Sequence, residues 1–369
     1  MKRKHVFLLT IIALFVGIIF VLNRVSNSKL HNSEMVKIGA VIPLTGNYSD
    51  VGDWMKIGMD MAVEDFNSKS EKYQLSILYE DSKSDPTSAI SAYQMLKSTQ
   101  NVQFYVSTVS SVCLALKPLA VRDSKFLFVN AGHKDLVTAD APFVFRHALT
   151  IPQEAKFMSE QLKNDTTIVS NSRIAVLYTN NEIGIEFKDV FVEEYGSHSP
   201  ITNTISYEES ETDLKNIVKK LLSRNPKVIV IYGYTKNFGQ VISAIREQGF
   251  GGKIYANQGF STPSAIENAG ASGNNVFYSD YDFPDNDEME ALRKRVKEKY
   301  NHDLSSMNIT SYNIISLIGM AIDTVGPNVN AVIKYLNNNS PYDINGMKIT
   351  IKQGEVFVPL KLVENVYQK

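Results

Sequence analysis

The chain has 369 residues, of which 44% are hydrophobic and 21% charged, and its formal net charge is −1. This is a globular composition, long enough for two domains with sizeable cores, and without a continuous basic face it argues against nucleic acid as a partner. The single cysteine, Cys113, excludes an intramolecular disulfide, so stability must come from packing.

The first segment is not globular. MKRKH is a basic head, and an uncharged apolar run of 17 residues follows, from Val6 to Leu22. Positive charge before an apolar run marks an export segment. Its length lies between a typical signal core and a spanning helix, so both cleavage near 26–28 and retention as a membrane anchor are open. Either places the remainder outside the cytoplasm. Without residues 1–28 the chain carries 34 basic and 39 acidic residues, a net of −5. A polar linker, SNSKLHNSE, runs to residue 34.

Beyond it, short β-branched and aromatic runs alternate with amphipathic ones. VKIGAVI (36–42), YQLSILYE (73–80), QFYVSTV (103–109) and KFLFVN (125–130) are expected strands. RIAVLYT (173–179), ITNTISY (201–207), KVIVIYG (227–233), KIYAN (253–257) and NVFYSDY (275–281) continue the series. Several are apolar throughout, as strands buried on both faces are. Helices are expected at 52–69, 85–98, 152–164, 185–196, 212–225, 236–250, 286–300, 308–325 and 329–338. Asp85 before Pro86 is a helix start. The alternation predicts an α/β fold with parallel, doubly wound sheets. It runs from 36 to about 149 and restarts at Arg173, which suggests two blocks.

Motifs for chemistry are sparse. No Gly-rich phosphate loop is present; TGNYSDVG (45–52) has only two glycines. The six histidines show no metal spacing, and DFPDNDEMEA (282–291) reads as an acid-rich helix start rather than a calcium loop. RKRVKEKY (293–300) reads as a solvated helix face. No metal or cofactor is expected. Cys113 and His133 form the one pairing that could act as nucleophile and base, yet Cys113 sits in V-C-L-A-L and reads as core. Lys117-Pro118 suggests a helix bend or a late start. The more telling feature is Ser110-Ser111, where a strand meets a helix. Free N–H groups at a helix N-terminus, with hydroxyls beside them, can hold a carboxylate; the plain alternative is a serine that caps its own helix.

In this order, the blocks VKIGAVIPLTGNYSDVGDWMKIGMDMAVEDFN (36–67), YEDSKSDPTSAISAYQMLKS (79–98) and VSTVSSVCLALKPLAVRDSKFLFVNAGHKDLVT (106–138) resemble a type I periplasmic binding protein. YTNNEIGIEFKDVF (178–191), VIVIYGYTKNFGQVISAIREQGF (228–250) and YANQGFSTP (255–263) extend the likeness over about 36–365. It is similar to the branch binding leucine, isoleucine, valine and related amides for ABC importers. The resemblance implies two α/β lobes joined by three crossings, with a ligand cleft between them. Lobe one would be 36–149 with 283–339, and lobe two 150–282 with 340–369. It implies a ligand held by Ser110 and Ser111, by Gly132 and His133, by the aromatic Tyr234 and by Gln258. His133 stands where threonine is usual, Ile183 replaces a tyrosine, and Gln258 replaces the acid that meets a ligand ammonium. Asp282 is the candidate for the missing charge. The implied activity is non-enzymatic capture of a small polar solute by hinge closure, as a monomer, for an ABC importer permease. A membrane sensor subunit is the alternative, and a Cys113/His133 hydrolase the remote one.

Overall fold

The computed structural model describes residues 33–367 apart from 47, 170–171, 209–210 and 235–236. The expected export segment, Val6 to Leu22, lies outside the described residues.

Two sheets organise the chain. The first is built on β1 (Glu34–Ile42), β2 (Tyr73–Asp81), β3 (Phe104–Thr108), β4 (Phe126–Asn130) and β5 (Val144–Arg146). These are parallel, in the order β2-β1-β3-β4-β5. Helices α1 (Ser49–Lys69), α2 (Pro86–Gln100) and α3 (Ser110–Asp123) connect them. After α4 (Ile151–Asn164) a second sheet repeats the scheme. Its strands are β6 (Ile174–Thr179), β7 (Ile201–Tyr207), β8 (Val228–Tyr232), β9 (Lys253–Ala256) and β10 (Val276–Tyr281). Their order, β7-β6-β8-β9-β10, matches the first. The connecting helices are α5 (Glu182–Tyr195), α6 (Leu214–Leu222), α7 (Phe238–Glu247) and α8 (Pro263–Ala269). In such open sheets the crevice lies outside the carboxyl ends of the strands, where the order reverses.

The chain then returns to the first lobe. Met289, Leu292 and Val296 of α9 (Asp287–Tyr300), and the apolar length of α10 (Ser306–Val325), pack into the core around Ile38, Phe104 and Phe128. α11 (Val329–Asn338) follows. The acid-rich start of α9 places Asp287, Glu288 and Glu290 in its first turn, favourable at the positive end of the helix dipole. Local signals fix the ends. Asp85 accepts the Ser88 N–H at 2.7 Å, Thr150 and Gln153 form a capping box on α4, and Ser305 and Asn308 form another on α10.

The C-terminal segment differs from the sequence expectation, which gave 340–369 to the second lobe. β11 (Tyr342–Ile344), β12 (Met347–Lys352) and β13 (Glu355–Phe357) extend the first sheet, with β13 parallel to β5. Only β14 (Leu360–Asn365) joins the second, antiparallel to β10. The third crossing therefore falls between Phe357 and Leu360. A buried ion pair anchors the return: the Arg146 guanidinium, 2% exposed, donates from Nε to Glu355 Oε2 at 2.9 Å and also pairs with Oε1. The other crossings are the links from β5 to α4 and from β10 to α9. α3 is continuous through Pro118 from Ser110 onward, without a late start.

Candidate functional site

The carboxyl ends of both sheets meet around one cavity holding about 100 Å3 of space for water. From the first lobe it is lined by Tyr48, Val51 and Met307 and by the ends of β3 and β4; from the second, by Ile183, Tyr234 and Gln258. The Asp81 carboxylate shapes the loop that leads to Tyr48. It accepts the N–H groups of Leu44 at 2.9 Å and Lys83 at 2.8 Å, and the Thr45 hydroxyl at 2.6 Å. Burial raises its pKa, and these hydrogen bonds more than offset that, leaving it low.

Ser110 lines the cavity at the start of α3. The residue before it, Val109, has φ 67° and ψ 116°, a conformation that costs a β-branched residue on the order of 1–3 kcal/mol. Val109 is the N-cap, and no side chain caps this helix. Ser110 is thus the first helical residue and not a cap, and the helix presents its uncapped first turn beside the cavity. Ser111, next in the helix, is exposed and outside the cavity lining.

Gly132 also lines the cavity and packs on the first crossing. Its carbonyl accepts the Ile151 N–H at 3.1 Å, and a Cβ there would fall 2.8 Å from the Leu149 carbonyl oxygen. Asn130 completes this wall, donating to the Thr310 hydroxyl at 2.8 Å.

His133 does not reach the cavity. It is 3% exposed, and its ring points to the rim. Nδ1 accepts the Asp135 N–H at 3.2 Å, so the proton resides on Nε2, which donates to Glu182 Oε1 of the second lobe at 3.0 Å. Lys134 beside it pairs with Glu186 at 3.3 Å. Asp282 is likewise elsewhere. Past the end of β10 the chain leaves the sheet, and the Asp282 N–H bonds the Pro359 carbonyl across the crossings at 2.8 Å. Its carboxylate turns outward, 56% exposed, toward Lys361 at 3.5 Å.

Two other acids, Glu154 buried and Asp280 partly buried, lie behind the second-lobe wall of the cavity. Glu154, in the first turn of α4, is 1% exposed. Its Oε1 accepts the Gln258 N–H at 2.7 Å and the Ser279 hydroxyl at 2.8 Å, and its Oε2 accepts the Tyr234 hydroxyl at 3.3 Å. Asp280, on β10, accepts the Ser306 hydroxyl at 2.5 Å, its neighbour's N–H (Tyr281) at 2.8 Å and Gln258 Nε2 at 3.3 Å. Burial pushes both carboxyl pKa values up, against the pull of these donors. The sequence reading missed both. Glu154 resembles any acid in a helix's first turn, and Asp280 is indistinguishable from Asp282 by sequence alone.

Cys113 is fully buried against Ala92, Tyr105 and Leu116, as its apolar setting led us to expect. Burial pushes its thiol up to about 12, the opposite of an activated nucleophile.

Two sheets of one strand order, facing each other across a lined crevice and joined by three crossings, define a two-lobed binding protein. The chain belongs to the periplasmic binding protein family, whose profile it matches over residues 35–359. It is similar to the Leu/Ile/Val-binding protein homolog 3 of Brucella melitensis, with 24% identity over 322 residues, 84% of each chain. Among solved structures it resembles a leucine binding protein from Thermotoga maritima, with a TM-score of 0.80, 19% identity, and 89% of this chain and 96% of that one covered. A solute binding protein of an ABC transporter from R. palustris, solved with benzoate, aligns with a TM-score of 0.80, 17% identity and coverage of 89% and 93%.

Proposed function

We propose that this chain is an extracytoplasmic solute-binding protein. It takes a small carboxylate between its lobes, closes about its three crossings, and hands the solute to an ABC importer. One observation carries the reading: the strained Val109–Ser110 turn sets the uncapped start of α3 against an inter-lobe cavity of mostly apolar side chains, Val51, Ala131, Leu149, Ile151 and Met307 among them. No Lys or Arg lines this cavity among the described residues, so an anion there is held by backbone N–H groups and hydroxyls. Capture of this kind needs no covalent step. The names of the relatives, which bind leucine in one case and benzoate in another, agree with a carboxylate attached to an apolar body.

The test is a thermal-shift and calorimetric panel of amino acids, aromatic acids, dicarboxylates and amides on the full-length chain. A bound ligand raises the midpoint by mass action. Ser110→Ala should weaken the best carboxylate by about 1–3 kcal/mol, as for a lost charge-assisted hydrogen bond. If no carboxylate shifts the midpoint, the reading fails. The intact mass of the exported protein separates a cleaved from an anchored form.

A further inference from the structure

We propose that Glu154 and Asp280, neither of which lines the cavity, set the hydrogen-bond polarity of its second-lobe wall. The site then selects carboxylates bearing a hydrogen-bond donor, charged or neutral, over analogues that can only accept. This inference rests on the reading of the cleft as a carboxylate site.

The two polar side chains that this wall contributes are Tyr234 and Gln258. A tyrosine hydroxyl has one hydrogen, and that of Tyr234 goes to Glu154 Oε2 at 3.3 Å. What it can offer a ligand is a lone pair. Gln258 gives its backbone N–H to Glu154 at 2.7 Å and one amide hydrogen to Asp280 at 3.3 Å, and its other amide hydrogen goes to the Tyr281 hydroxyl oxygen, leaving its carbonyl oxygen as the acceptor. The donors of the wall are therefore drawn backward into the lobe, and acceptors remain in front. Neither acid forms an ion pair among the described residues; Lys361 spends its contact on Asp282. The opposite wall offers donors at Ser110 and the start of α3. A ligand that satisfies both has a carboxylate at one end and an N–H or O–H near the other. Because the acceptors are themselves neutral, an ammonium is not required. A hydroxy acid fits the wall as an amino acid does, whereas an oxo acid brings an acceptor against acceptors.

The experiment measures Kd for matched amino, 2-hydroxy, 2-oxo and unsubstituted acids, on branched aliphatic and aromatic skeletons. The full-length chain is used. Wild-type protein should favour the amino and hydroxy members over the oxo member by about tenfold or more. In Glu154→Gln the new amide can donate to Tyr234, which releases the tyrosine hydrogen to the cavity. The oxo acid should then gain on the amino acid, narrowing or reversing the ratio. A role confined to packing would weaken all members alike. Tyr234→Phe removes the acceptor while keeping both carboxylates, although Glu154 Oε2 loses one hydrogen bond, and it should lower affinity for the amino and hydroxy members relative to the oxo and unsubstituted ones; it decides the matter if Glu154→Gln does not fold. Equal wild-type affinities across a series, or ratios unmoved in both variants, overturn this inference while the cleft reading stands. Failure of every carboxylate to bind sinks both.

Discussion

The rim pairs between lobes set a number on closure. His133–Glu182 and Lys134–Glu186 join the loop after β4 to the first turns of α5, and neither pair helps to fold either lobe. Glu182 is 74% exposed while the His133 side chain is 4% exposed. A charge-assisted hydrogen bond of about 1.5–3 kcal/mol must therefore be discounted for solvent at one end, to about 1 kcal/mol. The solvated Lys134, paired with Glu186 at 3.3 Å, adds little to this. The closed form is therefore biased by about 1 kcal/mol, or about fivefold. In a Glu182→Ala/Glu186→Ala double variant, apparent affinity should fall by that factor, chiefly through faster release. Because the Lys134 pair is screened, part of the difference should shrink at high salt. Calorimetry and stopped-flow release at two salt concentrations measure it. A lower melting midpoint of the ligand-free protein with unchanged affinity would mean that the pairs stabilise a lobe rather than closure, and the argument would fail.

Three further outcomes follow from buried groups. Cys113, fully buried and with its thiol pushed up to about 12, should resist alkylation in the folded protein and react completely in denaturant; rapid labelling of folded protein would contradict its place in the core. Arg146→Met strips Glu355 of its partner, and also removes the 2.5 Å hydrogen bond to the His133 carbonyl. Breaking a buried pair costs about 3–5 kcal/mol, toward the lower end here because Glu355 is 26% exposed, and equilibrium unfolding would show it. Burial raises the Asp165 pKa, but Lys253 at 2.5 Å and the Tyr255 hydroxyl more than offset this, so it falls below its usual 3.8. Such a group contributes stability above its unfolded pKa and loses it as pH falls toward the folded value. Asp165→Asn should flatten the acid limb of a stability–pH curve, and an unchanged limb would refute the assignment.

How much of this was legible depends on how far each signal acts along the chain. Buried parallel strands such as Val228–Tyr232 announce themselves because every residue is apolar. The return strands at Tyr342–Phe357 do not, since two of them have only three residues and carry little pattern, and β13, which joins them to the sheet, meets Arg146 some two hundred residues away. That Ser110, Gly132, Tyr234 and Gln258 fall beside the cavity could be read only through the family resemblance, on loops that follow strands. Side-chain direction could not. His133 follows Gly132 by one residue yet turns to the rim, because Nδ1 is held by the next backbone N–H but one. Asp282 follows Asp280 by two, yet the chain has already left the sheet.

The buried acids then raise a question of cost. Glu154 is a carboxylate without a cationic partner, its pKa raised by burial, so its ionised form opposes folding and that contribution grows as pH rises through the folded value. The Gln258 N–H and the Ser279 hydroxyl satisfy Oε1, and a glutamine would accept both unchanged. Its amide hydrogens could meet Tyr234 in place of Oε2. Glu154→Gln thus exchanges a desolvated charge for one amide hydrogen beyond the one that Tyr234 accepts, and removal of such a charge is often neutral or stabilising. Ligand-free Glu154→Gln should melt at or above the wild-type temperature near neutral pH, with a smaller gain below the ordinary glutamate value of 4.5, where the unfolded chain also binds the proton. A fall of several degrees would mean that the carboxylate is structural. If instead stability holds while discrimination between amino and oxo acids is lost, the acid is kept for the wall it polarises, at the expense of the lobe that contains it.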